Sequence, residues 1–398
     1  MSLPTTESDQ TGPPPQVVPV KAAAAVARGI RADAWQPRVW VLLGEGAGGN
    51  AQMQTLAGAL GWPFETKRVR YNPLNYFPNL LLGESSVSVD WRRSDRLAPP
   101  WPDLVIAASR QSAPVARWIK RRSGGRTCLV HLFHTQAPLH HFDLVVTTPQ
   151  YRLPVRANIL HNMLPLNPND ATRLQEAAGH WAPRFTDLPR PRIALLVGGD
   201  SASYRLTPEN AASLAKLASR SARQSGGSLL VTTSRRTPKQ AEEALYRELD
   251  CPHYFHSWQS GRDQDNPYPG FLALADRFIV TADSASLVAE ACNTGRPVEL
   301  FNWPQLCRWR DFVPLPAGLL QWMIYWGLIK PRRDFDAFYH CLTAQGWISP
   351  LGERGLPVQD PPDELRRTAD RVHRLMAARF GAMKPDGSRN RDYEGVLS

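Results

Sequence analysis

What this sequence has little of narrows the field first. Cysteine is scarce: five residues in 398, an odd number, with no C-x-x-C spacing. That excludes a disulfide framework, and no Cys/His quartet has the spacing of a structural zinc site. Free, mostly buried thiols in a reducing compartment are expected. Long apolar runs are also missing. The most apolar stretch, "AGLLQWMIYWGLI" (Ala317 to Ile329), is shorter than the ~20 residues a spanning helix needs. The opening "MSLPTTESDQTGPPP" has neither the basic start nor the apolar core of a secretory leader, and it carries acids that a transit peptide avoids. Residues 1–36 are therefore expected to be a disordered, Pro-rich tail on a cytoplasmic protein. No Tyr-x-x-x-Lys occurs, the pair that short-chain epimerase chemistry requires. No zinc-finger, RNA-recognition or basic-zipper pattern occurs either, so no specific nucleic-acid partner is expected.

Turn formers and positive charge are abundant. There are 36 prolines and 27 glycines, and the net charge is +11. The cations are spread over "KRVR", "IKRRSGGR", "SRRTPK" and "KPRR" rather than gathered in one tract. A chain of this sign suits an anionic partner, such as a phosphorylated ligand or an anionic lipid.

The hydrophobic pattern alternates strand and helix, twice. "RVWVLL" (Arg38 to Leu43) is a strand, "GEGAGG" a glycine loop, and "NAQMQTLAGALG" a helix stopping at Gly61. "FETKRVR", "DLVIAAS", "TCLVHLF" and "LVVTTP" are further strands, with "SAPVARWIKRR" a helix between. After the Pro-rich "RFTDLPRPR" the pattern restarts with the strand "RIALLVGG" (Arg192 to Gly199). The helix "TPENAASLAKLASRSARQSGG" has Thr207 at its N-cap, Pro208 at its first position and Gly226 past its end. "SLLVTTS", "RFIVTAD" and "PVELF" are strands, and "TPKQAEEALYREL" repeats the Thr-Pro helix start. The expected fold is α/β, with two Rossmann-like doubly wound domains facing a cleft. The expected boundaries are 37–187 and 188–350, with 351–398 a helix and tail that return to the first domain.

Ligands in such sheets sit beyond the carboxyl ends of the strands. Three corners qualify in the second half. In "TADSASLVAEA" a strand gives way to a helix at Asp283, Ser284, Ala285 and Ser286, with Glu290 one turn on from Ser286. The first helical turn offers unpaired N–H groups to a diphosphate, and Glu290 would take ribose hydroxyls. Alternatively Asp283 or Ser284 merely caps the helix and Glu290 is a solvated acid. In "LLVGGDSASY", Gly198 and Gly199 allow close approach and Ser201 and Ser203 carry donors; a plain turn is the alternative. In "TSRRTPK", Arg235 and Arg236 follow a strand end, within reach of a diphosphate or simply solvated.

The first half holds a rival signal. Gly44, Gly46 and Gly49 satisfy G-x-G-x-x-G, with Glu65 at a dinucleotide spacing, which suits an NAD-dependent epimerase or oxidoreductase. Glu65, however, falls near the start of its strand. His131 and His134 flank a strand end and are candidate general bases. Asp263 and Asp265 form a D-x-D that reads as loop charge, so no metal site is expected.

On these residues the second half resembles GT-B glycosyltransferases with a MurG-type donor domain. The features are Ala275-Asp276, the Thr281 to Ser286 corner, Glu290 and Gly295-Arg296-Pro297. "NPYPGFLALADRFIVTADSASLVAEACNTGRPVELF", "GGNAQMQTLAGALG" and "FDLVVTTPQYRLPVRANIL" look like the bacterial branch of the mitochondrial-fission Elm (elongated mitochondria) family. The resemblance implies a metal-independent, cofactor-free transferase. A nucleotide-diphosphate sugar would bind the second domain, and an acceptor would bind the first through Gly48, Gly49, Asn50 and Gln52. Asn266 and Tyr268 match the family's Asn-Pro-Tyr. MurG-type enzymes carry a His where this chain has Asn50, which is no base, leaving Glu45, His131 and His134. A non-catalytic, membrane-associated scaffold is the alternative from another class. "YNPLNYFPNLLLG" and "LLQWMIYWGLIKPRR" suggest contact with an anionic membrane surface and a lipid-linked acceptor.

Overall fold

Buried, β-branched and leucine-rich runs of four or five residues build two sheets, and helices follow where apolar spacing changes from two to about four. The structure, a computed structural model, describes residues 17–18, 36–167, 171–258, 266–306, 316–329, 333–353 and 361–381. Asp263, Asp265 and most of the 1–36 tail lie outside the described residues.

The first sheet contains β1 (Val17–Val18), β2 (Val39–Leu43), β3 (Phe64–Arg68), β4 (Leu104–Ala108), β5 (Cys128–Leu132), β6 (Leu144–Thr147) and β7 (Ile159–His161). Their order is β1-β3-β2-β4-β5-β6-β7. β2 is parallel to β3 and to β4, and β4 to β5. Within the expected tail, Val17 and Val18 pair antiparallel with β3 as an edge strand. Three helices belong to the early strands: α1 (Ala47–Ala59), the short α2 (Asn79–Leu82) and α3 (Ser109–Arg122).

The second half begins with α4 (Ala171–Trp181). It continues through β8 (Arg192–Leu196), α5 (Pro208–Gln224), β9 (Ser228–Thr232), α6 (Lys239–Arg247) and β10 (His253–His256). Then come α7 (Tyr268–Leu274), β11 (Arg277–Thr281), α8 (Ala285–Cys292), β12 (Val298–Phe301), α9 (Ala317–Tyr325), α10 (Phe335–Ala344), β13 (Ser349–Pro350) and α11 (Glu364–Phe380). The sheet order is β10-β9-β8-β11-β12-β13, every pair parallel. Numbered within this half, that is 3-2-1-4-5-6, the order of the dinucleotide-binding doubly wound sheet. Its strands β8, β9, β11 and β12 are largely buried, with Leu195, Leu230 and Ile279 fully covered, while β10 is half-buried. Each such side chain contributes ~1.5–3 kcal/mol relative to exposure.

Local signals explain the helix starts unequally. Thr207 Oγ1 accepts from the Asn210 N–H at 3.3 Å, with Pro208 opening α5 as expected. The second Thr-Pro start differs. Pro238 is the N-cap of α6 and no side chain caps it. The Thr237 hydroxyl is drawn instead to the Gly198 carbonyl, so it braces a loop rather than a helix.

The chain forms two compact units, Met1–Leu144 with Val372–Ser398, and Val145–Arg371. The division falls at Leu144 rather than near Leu188. The segment after β6 is held by later elements: Asp334 N–H donates to the Gln150 carbonyl at 2.8 Å, and Asn162 Nδ2 to Thr368 Oγ1 at 2.8 Å. The C-terminal half of α11 belongs to the first unit, where His373 Nε2 lies 3.0 Å from the Leu60 carbonyl and Arg379 pairs with Asp143 at 3.1 Å.

Candidate nucleotide site at the switch point of the second sheet

Strand order reverses between β8 and β11, so the loops leaving those two strands are where this topology opens a crevice. They are Val197–Gly199 and Ala282–Ser284, which brings the Gly198-Gly199 and Asp283–Ser286 candidates together. Their organiser is Asp283. Its side chain is fully buried, and Arg236 Nη2 sits 2.7 Å from Oδ2. Oδ2 also accepts from the Gly199 N–H at 2.9 Å, and Oδ1 from Thr281 Oγ1 at 2.8 Å. Burial pushes this carboxyl up, against the pull of Arg236, the Gly199 N–H and the Thr281 hydroxyl.

The two glycines are required by that arrangement. A Cβ on Gly198 would lie 2.2 Å from the Asp283 carboxylate oxygens, and one on Gly199 would lie 2.2 Å from the Arg236 carbonyl. Arg236 also donates to the Asp200 carbonyl at 3.1 Å, so its guanidinium is committed to holding the loop. Arg235 is exposed. Ser201 Oγ accepts from the Ser203 and Tyr204 N–H groups at 3.3 and 3.1 Å, which shapes the turn.

Helix α8 starts at this corner. Ser284 is its N-cap with extended backbone and makes no side-chain cap bond, while Asn167 Nδ2 reaches the Ser286 carbonyl of the first turn at 3.4 Å. Neither Asp283 nor Ser284 caps it, which leaves the first-turn N–H groups and the positive end of the dipole to another partner. Ser284, Ala285 and Ser286 are half-buried there. One turn on, Glu290 is half-buried and accepts from the Tyr268 hydroxyl at 2.5 Å. Burial raises the Glu290 carboxyl, while the Tyr268 hydroxyl and Arg173 pull it down. The Asn-Pro-Tyr stretch thereby gains a physical meaning. Asn266 Oδ1 accepts from the Tyr268 N–H at 3.0 Å and sets the start of α7, which carries Tyr268 to Glu290. Gly270 gives α7 room against Trp181, whose ring a Cβ would meet at 2.4 Å. A cavity of about 300 Å³ opens at the opposite end of α8, beside Asn293–Gly295 and Asp363–Leu365. It touches neither the glycines nor Glu290.

In the first sheet, order reverses between β2 and β4. The glycine loop leaves β2 there, and a Cβ on Gly49 would meet Phe133 and Ala108 only at ordinary contact distance. Asn50 closes the loop on itself: Oδ1 accepts from the Gly44 N–H at 3.0 Å and Nδ2 donates to the Gly44 carbonyl at 2.9 Å. Gln52 is buried, and Gly48 is exposed. Glu65 is the second residue of β3, paired with Lys67 at 2.8 Å. It sits near the amino end of the strand, not the carboxyl end where a dinucleotide ribose acid belongs.

The three base candidates separate by exposure and tautomer. His131 is completely buried, its Nε2 3.0 Å from the Ser109 carbonyl, and burial pushes its pKa down to about 4. It reaches no bound hydroxyl. His134 Nδ1 accepts from the Gln136 N–H at 3.0 Å, so the neutral ring carries its proton on Nε2, the form that donates. Glu45 is exposed, with Arg70 3.6 Å away.

Sequence reasoning missed a backbone feature here. Ser109, Phe133 and Gln136, just beyond β4 and β5, have φ of 70°, 70° and 47°. Left-handed conformations at non-glycine residues cost energy and concentrate at functional edges. No glycine or asparagine marks them, so no sequence signal was available.

Solved structures with a distant likeness include the UDP-GlcNAc 2-epimerase from Methanocaldococcus jannaschii, 11% identical over 85% of this chain and 99% of that one, with a TM-score of 0.45. Arabidopsis thaliana UGT89C1 complexed with UDP is 12% identical over 87% and 100%, at 0.42. Among curated proteins, "Uncharacterized protein RP120" of Rickettsia prowazekii (strain Madrid E) is 23% identical over 67% of this chain and 83% of that relative. "Mitochondrial fission protein ELM1" of Arabidopsis thaliana is 29% identical over 71% of this chain, and the match spans 66% of the plant protein, just under two thirds of its length. The family model described as mitochondrial fission ELM1 matches residues 47–313, and the chain belongs to that family.

Proposed function

We propose that the chain is a glycosyltransferase that takes a sugar from a nucleotide-diphosphate sugar. The second unit holds the donor. The observation that carries this reading is the uncapped start of α8 at the switch point, with the Glu290 carboxylate, to which the ribose is assigned, one turn further on. The diphosphate is assigned to the α8 N–H groups and the Gly198-Gly199 loop, with Arg235 as its cation. An acceptor hydroxyl attacks the anomeric carbon, the bond to the diphosphate oxygen breaks, the nucleoside diphosphate leaves, and a base takes the hydroxyl proton. Neither metal nor cofactor is assigned a part. The acceptor is assigned to the carboxyl edge of the first sheet and is lipid-linked, on a chain peripheral to the inner face of a membrane.

A second reading has its own support. Asn50, His131 and His134 are all turned to internal bonds, which favours a non-catalytic scaffold that retains the donor fold. Among the described residues no helix is long and apolar enough to cross a membrane, so either protein would meet a bilayer at its surface.

A thermal-shift series separates the readings. Uridine or guanosine diphosphate compounds are expected to raise the melting temperature, with NAD silent. Glu290→Ala is expected to weaken nucleotide binding by ~1.5–3 kcal/mol, the range of a charged hydrogen bond, with little effect on folding. Stabilisation without donor turnover supports the scaffold. Silence toward every nucleotide, or equal affinity in Glu290→Ala, defeats the donor assignment.

A further inference from the structure

The segment between β3 and β4 is built with its polarity inverted. Asn75 and Asn79 are buried, 4% and 1% exposed, while Tyr76 and Leu81 stand 85% and 73% exposed. Leu74, Phe77 and Leu80 face solvent with them, each about half exposed. A sequence serving only its own fold would turn the leucines inward and the asparagines outward.

Asn79 pins the segment from inside, and the half-buried Asn72 braces its start. Asn79 Nδ2 donates to the Arg110 and Thr135 carbonyls, each at 2.8 Å. Asn72 Nδ2 donates to the Val87 carbonyl at 2.8 Å, and Oδ1 accepts from the Leu74 N–H at 3.0 Å. Arg110 reaches the Phe77 carbonyl at 2.9 Å and the Asn75 carbonyl. Several main-chain groups of the segment are thus satisfied internally: the Asn75, Phe77 and Val87 carbonyls and the Leu74 N–H.

Charge is sorted in the same way. Between positions 68 and 96 lie five arginines, Arg68, Arg70, Arg92, Arg93 and Arg96, and all are exposed. The three acids of that stretch are half-buried and bonded. Asp95 accepts from the Arg68 N–H at 2.7 Å, Asp90 from the Arg92 N–H at 3.1 Å, and Glu84 pairs with Arg117 at 3.3 Å. The segment therefore offers solvent apolar side chains with three aromatics, Tyr76, Phe77 and Trp91, beside the exposed Arg92 and Arg93.

We propose that residues 72–93 dock the first unit on a bilayer carrying anionic phospholipid headgroups. The leucines and Phe77 enter the headgroup boundary, and Arg92 and Arg93 meet the lipid phosphates. This deepens the assignment of a lipid-borne acceptor, yet it stands apart from the nucleotide site. A chain that binds vesicles but no nucleotide keeps this inference and loses that one.

The test is sedimentation of the full chain with vesicles of phosphatidylcholine alone and with added phosphatidylglycerol, at low and high salt. Pelleting is expected with the anionic vesicles, reduced but not abolished by salt. Leu80→Asp with Leu81→Asp is expected to lower the partition coefficient by at least roughly tenfold, since each leucine forfeits its apolar transfer. Arg92→Glu with Arg93→Glu should remove the preference for the anionic vesicles. The melting temperature and its response to nucleotide should match the parent. If the leucine pair proves destabilising, Tyr76→Ser decides, because that side chain is almost wholly in solvent. No pelleting at low salt overturns the proposal. So does pelleting that the leucine and tyrosine variants leave unchanged, and so does a parent that self-associates through this surface instead.

Discussion

Asp283→Ala is the perturbation that tests how the candidate site is held together. The carboxylate lies at the centre of the switch point, with no exposed surface of its own. Removing it leaves the buried Gly199 N–H without its acceptor, at a cost of ~1–3 kcal/mol. The Thr281 hydroxyl has an alternative in the Leu196 carbonyl, 3.4 Å away, and adds little. Arg236 loses its partner, but its side chain is 37% exposed and regains water, so the ~3–5 kcal/mol for stranding a fully buried charge does not apply. The sum is about 2–3 kcal/mol, or a fall of roughly 4–12 °C in the melting temperature of a unit this size. Asp283→Asn is expected to cost less than Asp283→Ala. Its oxygen can face the Gly199 N–H and its amide the Thr281 oxygen, and burial already favours the uncharged carboxyl that it mimics. The sign with pH follows. A raised carboxyl pKa means the native state binds protons more readily than the unfolded chain, so this group's contribution falls as pH rises above the ordinary carboxylate range. The parent should lose that contribution on going from acid toward neutral, and Asp283→Asn should lack the slope. In both variants nucleotide affinity should drop with the loop, although Asp283 itself faces no ligand. Urea unfolding of parent and variants across that pH range, with nucleotide titrations alongside, reads both effects. Equal costs for Ala and Asn, or unchanged nucleotide affinity in Asp283→Ala, would refute the reasoning.

Tyr268→Phe removes the hydroxyl that donates to Glu290 at 2.5 Å. Nucleotide binding should weaken by ~0.5–1.5 kcal/mol. Because that hydroxyl lowers the Glu290 pKa, the variant should also need a higher pH to reach full affinity, a shift that a purely packing role for Tyr268 would not produce. His131 gives a separate pH signature: its pKa is pushed down to about 4 by burial, so between that value and ~6.5 the unfolded chain binds the extra proton. Stability should be complete above ~6.5 and fall by up to ~3 kcal/mol as pH drops toward 4, and His131→Asn should flatten that acid limb. A parent whose unfolding midpoint is level across that range would remove His131 as its cause.

Much of this was legible in the sequence, for reasons that differ by residue. The strands "RIALL", "SLLVT" and "RFIVT" are short apolar runs bounded by glycine and threonine, and such runs announce a parallel sheet whether or not their partners are known. The same pattern put Gly198 and Asp283 on loops at the carboxyl edge, but the strand order that makes those loops neighbours came only with the fold. What did not follow was direction. Arg235 and Arg236 are chemically alike, and only the fold turns one to Asp283 and leaves the other in solvent. Thr207 and Thr237 both precede a proline, yet only Thr207 caps its helix, since the Gly198 carbonyl competes for the other. The unit boundary was displaced for a similar reason. Contacts of Gln150 with Asp334 and of Asn162 with Thr368 span more than a hundred residues, and no local pattern encodes them.

Donor binding and catalysis are separable in this fold, and the structure treats the two halves differently. Around the α8 corner, Asp283 and Arg236 are locked to each other, and Glu290 accepts from the Tyr268 hydroxyl. On the proposed donor reading, that ion pair and the two sterically obligatory glycines serve to hold the loop in register. The first sheet's edge shows strain at Ser109, Phe133 and Gln136 but no free imidazole among the sequence candidates. Left-handed backbone at three residues has to be held by surrounding contacts, and two of its main-chain groups are turned inward: the Ser109 carbonyl to His131 Nε2 at 3.0 Å and the Gln136 N–H to His134 Nδ1 at 3.0 Å. On the proposed transferase reading, Glu45 is the carboxylate left to test as the base, because it stands exposed in the glycine loop with Arg70 3.6 Å away, while His131 and His134 are turned to internal bonds.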